Sequence, residues 1–410
     1  MDELIFFAAL LVFLFGLVSA VASRSPVTAP MFFVAVGVLA GPLGFAWYEA
    51  ETDSESVQVI AELTLMLILF TDASLIDLRA LKREYKIPLR LLGIGLPLTM
   101  LAGFLIGQCL FPGMALPLIA VMAFMLSPTD AALGQAVVAS EVVPASVRDS
   151  IGVESGLNDG IALPPILACM AAIGAGVDST LDFGYWGGFA LKQLFYGPLV
   201  GAAVGLIGGR LVDGAVKRGW MTSVFQRLTS ISLALVSYAL AEKVGGNGFI
   251  AAFFGGLMLG TSTRVVRERL QEFGEAEGQL LSLFVFLIFG AVLVPIAWEH
   301  WSWMSLLYAV LSLTVIRMVP VLVSLLGANL EPGRRIDWAS IGFIAWFGPR
   351  GIASVLYMLM FVGVLGRDGY EPMLSVVILT VFLSVFAHGL SAVPLSSLYG
   401  RWMESRSERG

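Results

Sequence analysis

Leu126-Ser-Pro-Thr-Asp-Ala-Ala-Leu-Gly134 and Val153-Glu-Ser-Gly-Leu-Asn-Asp-Gly160 place two carboxylates, Asp130 and Asp159, inside long apolar runs. A charge at the centre of a bilayer is costly, so an ionisable residue there marks a functional site until shown otherwise. Pro128 and the nearby glycines can interrupt a helix and expose backbone groups to a polar cavity. The pattern points to an ion or proton pathway through a membrane.

The rest of the chain agrees with a membrane setting. Its 410 residues are 58% hydrophobic and 13% charged, against about 25% charged in soluble proteins. Apolar runs long enough to cross about 30 Å of hydrocarbon recur along the chain. They predict an all-α, polytopic membrane protein with thirteen spans. These lie near 4–22, 27–46, 57–76, 87–111, 114–139, 146–173, 186–209, 225–242, 246–262, 279–298, 303–327, 337–363 and 371–398. No alternating strand pattern supports a β-barrel. Asp2 and Glu3 precede the first run, where a secretory signal would be basic, so that run is read as a retained helix. The two cysteines and two histidines fit no disulfide framework and no zinc cluster. No nucleophile motif or nucleic-acid motif occurs, so neither an enzyme, a cofactor nor a nucleic-acid partner is expected.

Charge sets the orientation. With the N-terminus outside, every Lys and Arg falls on the cytoplasmic side except Lys192, Lys243 and Arg367, and the intramembrane Arg317 and Arg350. Glu49, Glu51, Asp53, Glu55, Asp178 and Asp182 fall on the outer side. The positive-inside rule then places the C-terminus in the cytoplasm. Asp77, Arg79, Lys82 and Arg83 read as a solvated cytoplasmic loop.

A weak internal repeat is also present. Gly37-Val-Leu-Ala-Gly41 matches Gly256-Leu-Met-Leu-Gly260, and Ile68-Leu-Phe70 matches Leu287-Ile-Phe289, both at an offset of 219. Ser127-Pro-Thr-Asp130 aligns with Gly348-Pro-Arg-Gly351 at an offset of 221. Each pair is seven spans apart, and an odd separation inverts direction through the membrane. Inverted repeats with broken helices at matching places characterise secondary transporters. The expected organisation is a first six-helix repeat at 1–173, a linker helix (span 7) within 174–224, and a second, inverted repeat at 225–410. Spans 5 and 12 are the expected broken, crossing helices.

Six charges fall inside spans: Asp72, Asp130, Glu154, Asp159, Arg317 and Arg350. Ser155 and Asp159 share one helical stripe, and Glu154 and Asn158 the next. Ser155, Asp159, Thr129 and Asp130 can offer oxygens to one small, hard cation. Glu154 needs a counter-charge, and mid-span Arg317 suits it better than Arg350, which can offset helix ends at the break in span 12. That pair reads as a structural strut. Asp72, near the end of span 3, is either a vestibule acid or a solvated one. His388 reads as a packing or hydrogen-bonding residue ahead of a proton carrier.

Ser127-Pro-Thr-Asp130, Glu154-Ser-Gly-Leu-Asn-Asp159 and Gly348-Pro-Arg-Gly351 resemble the signatures of the cation/proton antiporters, first subfamily. That group holds the NhaP-type sodium/proton antiporters and the eukaryotic sodium/hydrogen exchangers. Gly248-Phe-Ile-Ala-Ala-Phe-Phe-Gly-Gly-Leu-Met-Leu-Gly260 and the span count extend the likeness over nearly the whole chain. The family often has Leu where Gly156 and Pro349 stand here. The resemblance implies that Asp159 is the essential ion-binding carboxylate, helped by Thr129, Asp130 and Ser155. It implies a Glu154–Arg317 bridge with Asn158 beside it, and electroneutral exchange because Asn158 precedes Asp159. It further implies a homodimer in the cell (inner) membrane, among lipid, with core bundles (spans 4–6 and 11–13) moving against a dimer scaffold (spans 1–3 and 7–10). The expected activity is exchange of Na⁺ or Li⁺ for H⁺ by alternating access. Exchange of K⁺ for H⁺, or a cation channel lined by the same acids, is the alternative.

Overall fold

The computed structural model describes residues 2–22, 25–47, 55–76, 86–177, 183–263, 267–331 and 334–407. Arg24, Glu49, Glu51, Asp53, Asp77, Arg79, Lys82, Arg83, Asp178, Asp182 and Arg264 lie outside the described residues. The described chain is overwhelmingly helical. Seven of its helices are long and apolar enough to cross a membrane, and five shorter apolar helices accompany them.

The helices fall where the apolar runs are. They are α1 (Asp2–Ala22), α2 (Ala29–Ala40), α3 (Glu55–Leu75) and α4 (Lys86–Leu110). Span 5 appears as two half-helices, α5 (Leu116–Met125) and α6 (Ala131–Val138). Then come α7 (Ala145–Val177), α8 (Phe183–Lys217), α9 (Ser223–Lys243), α10 (Gly248–Ser262) and α11 (Arg267–Ile288). A π-helical turn, Phe289–Leu293, carries α11 on into Val294–Trp298. Next are α12 (Trp303–Leu313) and α13 (Val315–Leu325). Span 12 is again two halves, α14 (Trp338–Trp346) and α15 (Ile352–Leu365), and α16 (Glu371–Ser407) follows. A short antiparallel pair, β1 (Asn329–Glu331) and β2 (Arg334–Arg335), precedes α14.

One break was not expected. Span 11 is interrupted at Thr314, which carries neither Gly nor Pro to announce it (φ −115°, ψ −93°). The Thr314 hydroxyl bonds back to Val310 O at 2.7 Å, and its N–H reaches the same carbonyl at 3.1 Å. Back-bonding of this kind bends helices by competing with the backbone ladder. Helix α4 has a π turn at Leu91–Gly95, 219 to 223 residues before that break.

The chain divides into two compact units. One comprises Met1–Val57, Lys86–Ser155 and Ser282–Gly410; the other comprises Gln58–Tyr85 and Gly156–Leu281. In the first, a core of Val147, Ile151, Val321, Leu325, Ile344 and Phe347 packs α7, α13 and the broken span 12 together. Arg90 of α4 donates to Leu326 O at 2.9 Å, closing the end of α13.

Glycine permits close helix contacts in each unit, and two of them are informative. In the first, Gly37 and Gly41 of α2 lie on the backbone of Leu287 and Ala291, and Gly290 lies on Val34. In the second, Gly256 and Gly260 of α10 lie on the carbonyls of Phe70 and Ser74 of α3. Small residues let backbones approach closely where lipid offers no hydrophobic drive for association. The two contacts use the two matched glycine motifs.

A Cβ at Gly256 would collide with backbone, whereas one at Gly16 would meet nothing within 4 Å. Gly256→Val should therefore lower the melting temperature in detergent, through overpacking of about 1–3 kcal/mol. Gly16→Val should leave it near the wild-type value. Equal melting of the two variants would contradict this packing.

Candidate functional site

The two mid-span breaks, at 126–130 and 347–351, both belong to the first unit. Their sequence explains them. Pro128 and Pro349 lack an N–H, and the residue before a proline is pushed out of the helical region. Each break leaves a helix C-terminus and a helix N-terminus with orphan backbone groups.

Asp130 closes two of those ends. It is the N-cap of α6, and Oδ1 accepts from Ala132 N at 2.7 Å and from Leu133 N at 3.1 Å. Oδ2 accepts a short hydrogen bond from Ile352 N, the first residue of α15. Its own N–H donates to Pro349 O at 2.9 Å. One carboxylate thus faces the positive ends of two half-helices, a favourable electrostatic position.

Arg350 does the converse. It is fully buried, and Nη1 donates to Ser127 O at 2.8 Å and Pro128 O at 3.1 Å, just beyond the C-terminus of α5. Ser354 adds a bond to Met125 O at 2.7 Å. The two breaks are cross-linked by these contacts. Gly351 is required, because a Cβ there would run into the Asp130 carboxylate.

Glu154 and Arg317 meet as a bidentate ion pair, with Nη1–Oε1 at 2.5 Å and Nη2–Oε2 at 2.8 Å. Both side chains are almost wholly buried, at 2% and 1% exposure. Arg317 therefore takes Glu154, and Arg350 takes the helix ends. The Arg317 guanidinium lies over Gly348, where a Cβ would strike it. One turn of α7 thus carries the strut, and the next residue, Ser155, places its hydroxyl 3.0 Å from that of Thr129. Two hydroxyls from different spans are brought together beside Asp130.

Asn158 and Asp159 lie one turn further along α7, both buried. In the second unit Gly156 of α7 packs on Ile76 and on the carbonyl of Asp72, at 3.3 and 3.7 Å from its would-be Cβ. Asp72 itself is partly exposed. Five charged side chains are buried among the described residues: Asp130, Glu154, Asp159, Arg317 and Arg350. Among the described residues no group of three His, Cys, Asp or Glu forms a metal-holding cluster.

Sequence reasoning passed over Ser384. It lies one turn before His388 on α16, receives Arg350 N at 2.7 Å and touches His388 Nδ1 at 3.1 Å. The signal available was a Ser and a His at i and i+4 in an otherwise apolar run.

Comparison with known proteins agrees with this architecture. The family described as "sodium/hydrogen exchanger, transmembrane" matches residues 9–398. A Na⁺/H⁺ antiporter NhaP from Pseudomonas aeruginosa is 28% identical over 359 residues, covering 82% of this chain and 80% of that protein. A K⁺/H⁺ antiporter NhaP2 from Shewanella baltica is 24% identical over 395 residues, covering 95% of this chain. The chain spans 66% of that relative's length. The solved sodium proton antiporter MjNhaP1 from Methanocaldococcus jannaschii superposes with a TM-score of 0.79 at 19% identity, covering 97% of this chain and 98% of that one. The chain belongs to the sodium/hydrogen exchanger transmembrane family, and it is a multi-pass membrane protein with the MjNhaP1 fold.

The buried strut yields a stability test. Glu154→Gln or Arg317→Ala strands a buried charge and should cost about 3–5 kcal/mol. The double change Glu154→Gln/Arg317→Leu should recover part of that loss in a detergent melting series. No recovery in the double variant would mean that the pair is not coupled.

Proposed function

We propose that this chain is a secondary active transporter that exchanges Na⁺ or Li⁺ for H⁺, with Asp159 as the carboxylate that holds either ligand. The observation that carries the reading is the pair of mid-span breaks with buried oxygen ligands beside them. Thr129 and Asp130 stand at the first break, and the Ser155 hydroxyl meets that of Thr129 there. Glu154 is held by Arg317, and Asp130 by three backbone N–H groups. Asp159 is a further buried carboxylate of α7, one helical turn beyond Ser155.

In this reading Asp159 supplies the charge, and Ser155 and Thr129 supply neutral oxygens suited to a hard cation. Asp130 holds the two half-helices in place and adds negative potential to the site. A deprotonated Asp159 binds the cation, and a protonated one cannot, so the two ligands compete and exchange is coupled. The bare site keeps its uncompensated charge and is held back from crossing the membrane. Asp72 serves as a vestibule acid leading to the site. The likeness to relatives named for Na⁺/H⁺ and for K⁺/H⁺ exchange supports cation/proton exchange as the reaction class.

The same proposal extends to organisation. The thirteen spans form two inverted six-helix repeats, 1–173 and 225–410, joined by a linker helix within 174–224. Spans 4–6 and 11–13 form the moving core, and spans 1–3 and 7–10 the scaffold of a homodimer. The protein lies in the inner membrane with its N-terminus outside and its C-terminus in the cytoplasm. The matched glycine contacts and the twin breaks, both at offsets near 220 residues, support the repeat.

Purified protein in proteoliposomes should dissipate an imposed pH gradient when Na⁺ or Li⁺ is added. A response to K⁺ alone would instead assign K⁺/H⁺ exchange. Asp159→Asn should abolish the response while the variant remains folded, because an amide neither carries the proton nor balances the cation. Turnover by that variant would sink the assignment of Asp159.

Competition at one carboxylate also sets the pH dependence. Lowering the pH should raise the apparent KM for Na⁺, since protons occupy the site. At very high pH the proton half-cycle starves, so turnover at fixed Na⁺ should pass through a maximum. With Asn158 before Asp159, one proton exchanges for one cation. Clamping the voltage with K⁺ and valinomycin should then leave the rate of Na⁺-driven exchange unchanged. A several-fold voltage response would exclude electroneutral exchange, and unitary currents far above transporter turnover would point to a channel.

A further inference from the structure

The second break is gripped from outside by two side chains of α16. His388 Nε2 lies 3.0 Å from Trp346 O, at the last residue of α14. Its other ring nitrogen, Nδ1, lies 3.1 Å from Ser384 Oγ, and that same oxygen receives Arg350 N–H at 2.7 Å. Trp346 and Arg350 flank the non-helical residues 347–349. The imidazole is also tilted against the Trp346 indole, with centroids 5.0 Å apart, and Trp346 Nε1 donates to Ser391 Oγ at 2.9 Å. Arg350, Ser384 and His388 are buried, and Trp346 and Ser391 are half-buried.

With a neutral imidazole the donors and acceptors run in one direction. A carbonyl only accepts, so Nε2 carries the hydrogen that goes to Trp346 O. Ser384 Oγ accepts from Arg350 N–H, which leaves its own proton to donate to the Nδ1 lone pair. The sequence Arg350 N–H, Ser384 O–H, His388 Nδ1, and then His388 Nε2–H to Trp346 O closes with a neutral imidazole. Ser384 O also lies 3.1 Å from Nδ1, so both oxygens of Ser384 stand on that side of the ring. A histidine ring suits this place because it offers one acceptor and one donor on opposite sides of a rigid plane. No other neutral side chain does so at that span.

We propose that Ser384 and His388 are positioning residues for the exchange site, acting through the backbone of the second break. Between the two gripped residues, Pro349 O receives Asp130 N–H at 2.9 Å, and Arg350 reaches across to the carbonyls of Ser127 and Pro128. Thr129 lies between those carbonyls and Asp130, with its hydroxyl on Ser155. Releasing the grip lets residues 347–350 relax, which moves the carbonyl that holds Asp130 and shifts the Thr129 oxygen. Neither Ser384 nor His388 touches the ion. Their loss therefore reads out as weakened cation binding in a protein that still folds and still turns over.

This inference rests on the proposed exchange activity, so the test carries its own control. Exchange is measured in proteoliposomes for wild type, Ser384→Ala, Ser384→Thr, His388→Phe and the Ser384→Ala/His388→Phe double variant. Ser384→Ala and His388→Phe should each raise the KM for Na⁺ about tenfold while turnover at saturating Na⁺ changes little, in line with the sensitivity of sites to small displacements. Ser384→Thr, which keeps the hydroxyl, should restore a wild-type KM. The double variant should be no worse than the worse single one, because the two residues act in series. Melting alone cannot produce that pattern. Variants with wild-type KM beside an active wild type would overturn the positioning role and leave the exchange reading standing, as would additive losses or a Ser384→Thr variant no better than Ser384→Ala. A wild type that exchanges no cation would overturn both. Should His388→Phe fail to fold, the contrast between Ser384→Ala and Ser384→Thr decides.

Discussion

Helix ends inside hydrocarbon must find their hydrogen-bond partners within the protein, since each unsatisfied group costs several kcal/mol. Two spans here are cut in mid-course, and the chain answers with two charged side chains. Asp130 gathers the N–H groups of two half-helix starts, and Arg350 gathers two carbonyls beyond a half-helix end. Each charge is itself expensive to bury, and each is made tolerable by the partial charge of the ends it faces. Removing either would strand the backbone groups that it holds. The breaks therefore persist only while these residues do, and the open backbone that could serve an ion exists because of them.

The same logic separates the remaining buried charges by function. A bidentate Glu154–Arg317 pair is stiff, planar and neutral in sum. It ties α7 to α13 in front of Gly348, where only a glycine leaves room for the guanidinium. Ser155 follows Glu154 directly, so the strut also sets the rotation of α7 at the turn that carries the hydroxyl.

Much of this was legible in the chain. The apolar runs located the helices, and Pro128, Pro349 and the flanking glycines located the breaks. Glu154 pairing with Arg317 followed from their mid-span positions. The double capping by Asp130 was not legible, because its donor from the other half-helix, Ile352, lies 222 residues away and an N–H leaves no mark in a sequence. The bend at Thr314 was missed for a related reason: a threonine inside an apolar run reads as ordinary membrane-helix composition, and its back-bond to Val310 becomes visible only in coordinates. Ser384 was hidden likewise, its role lying in a contact to the backbone of Arg350.

The two matched glycine motifs both sit at close helix contacts. Gly37 and Gly41 bring α2 against Leu287 and Ala291, and Gly256 and Gly260 bring α10 against Phe70 and Ser74. Adding about 219 to the first pair of glycines gives the second pair, and the helices they touch are likewise spans 10 and 3, seven apart. An inverted duplication requires this reciprocity, since a contact between span 2 and span 10 has as its image a contact between span 9 and span 3. Each compact unit thus contains one close contact made by a matched glycine motif, as an inverted repeat would require.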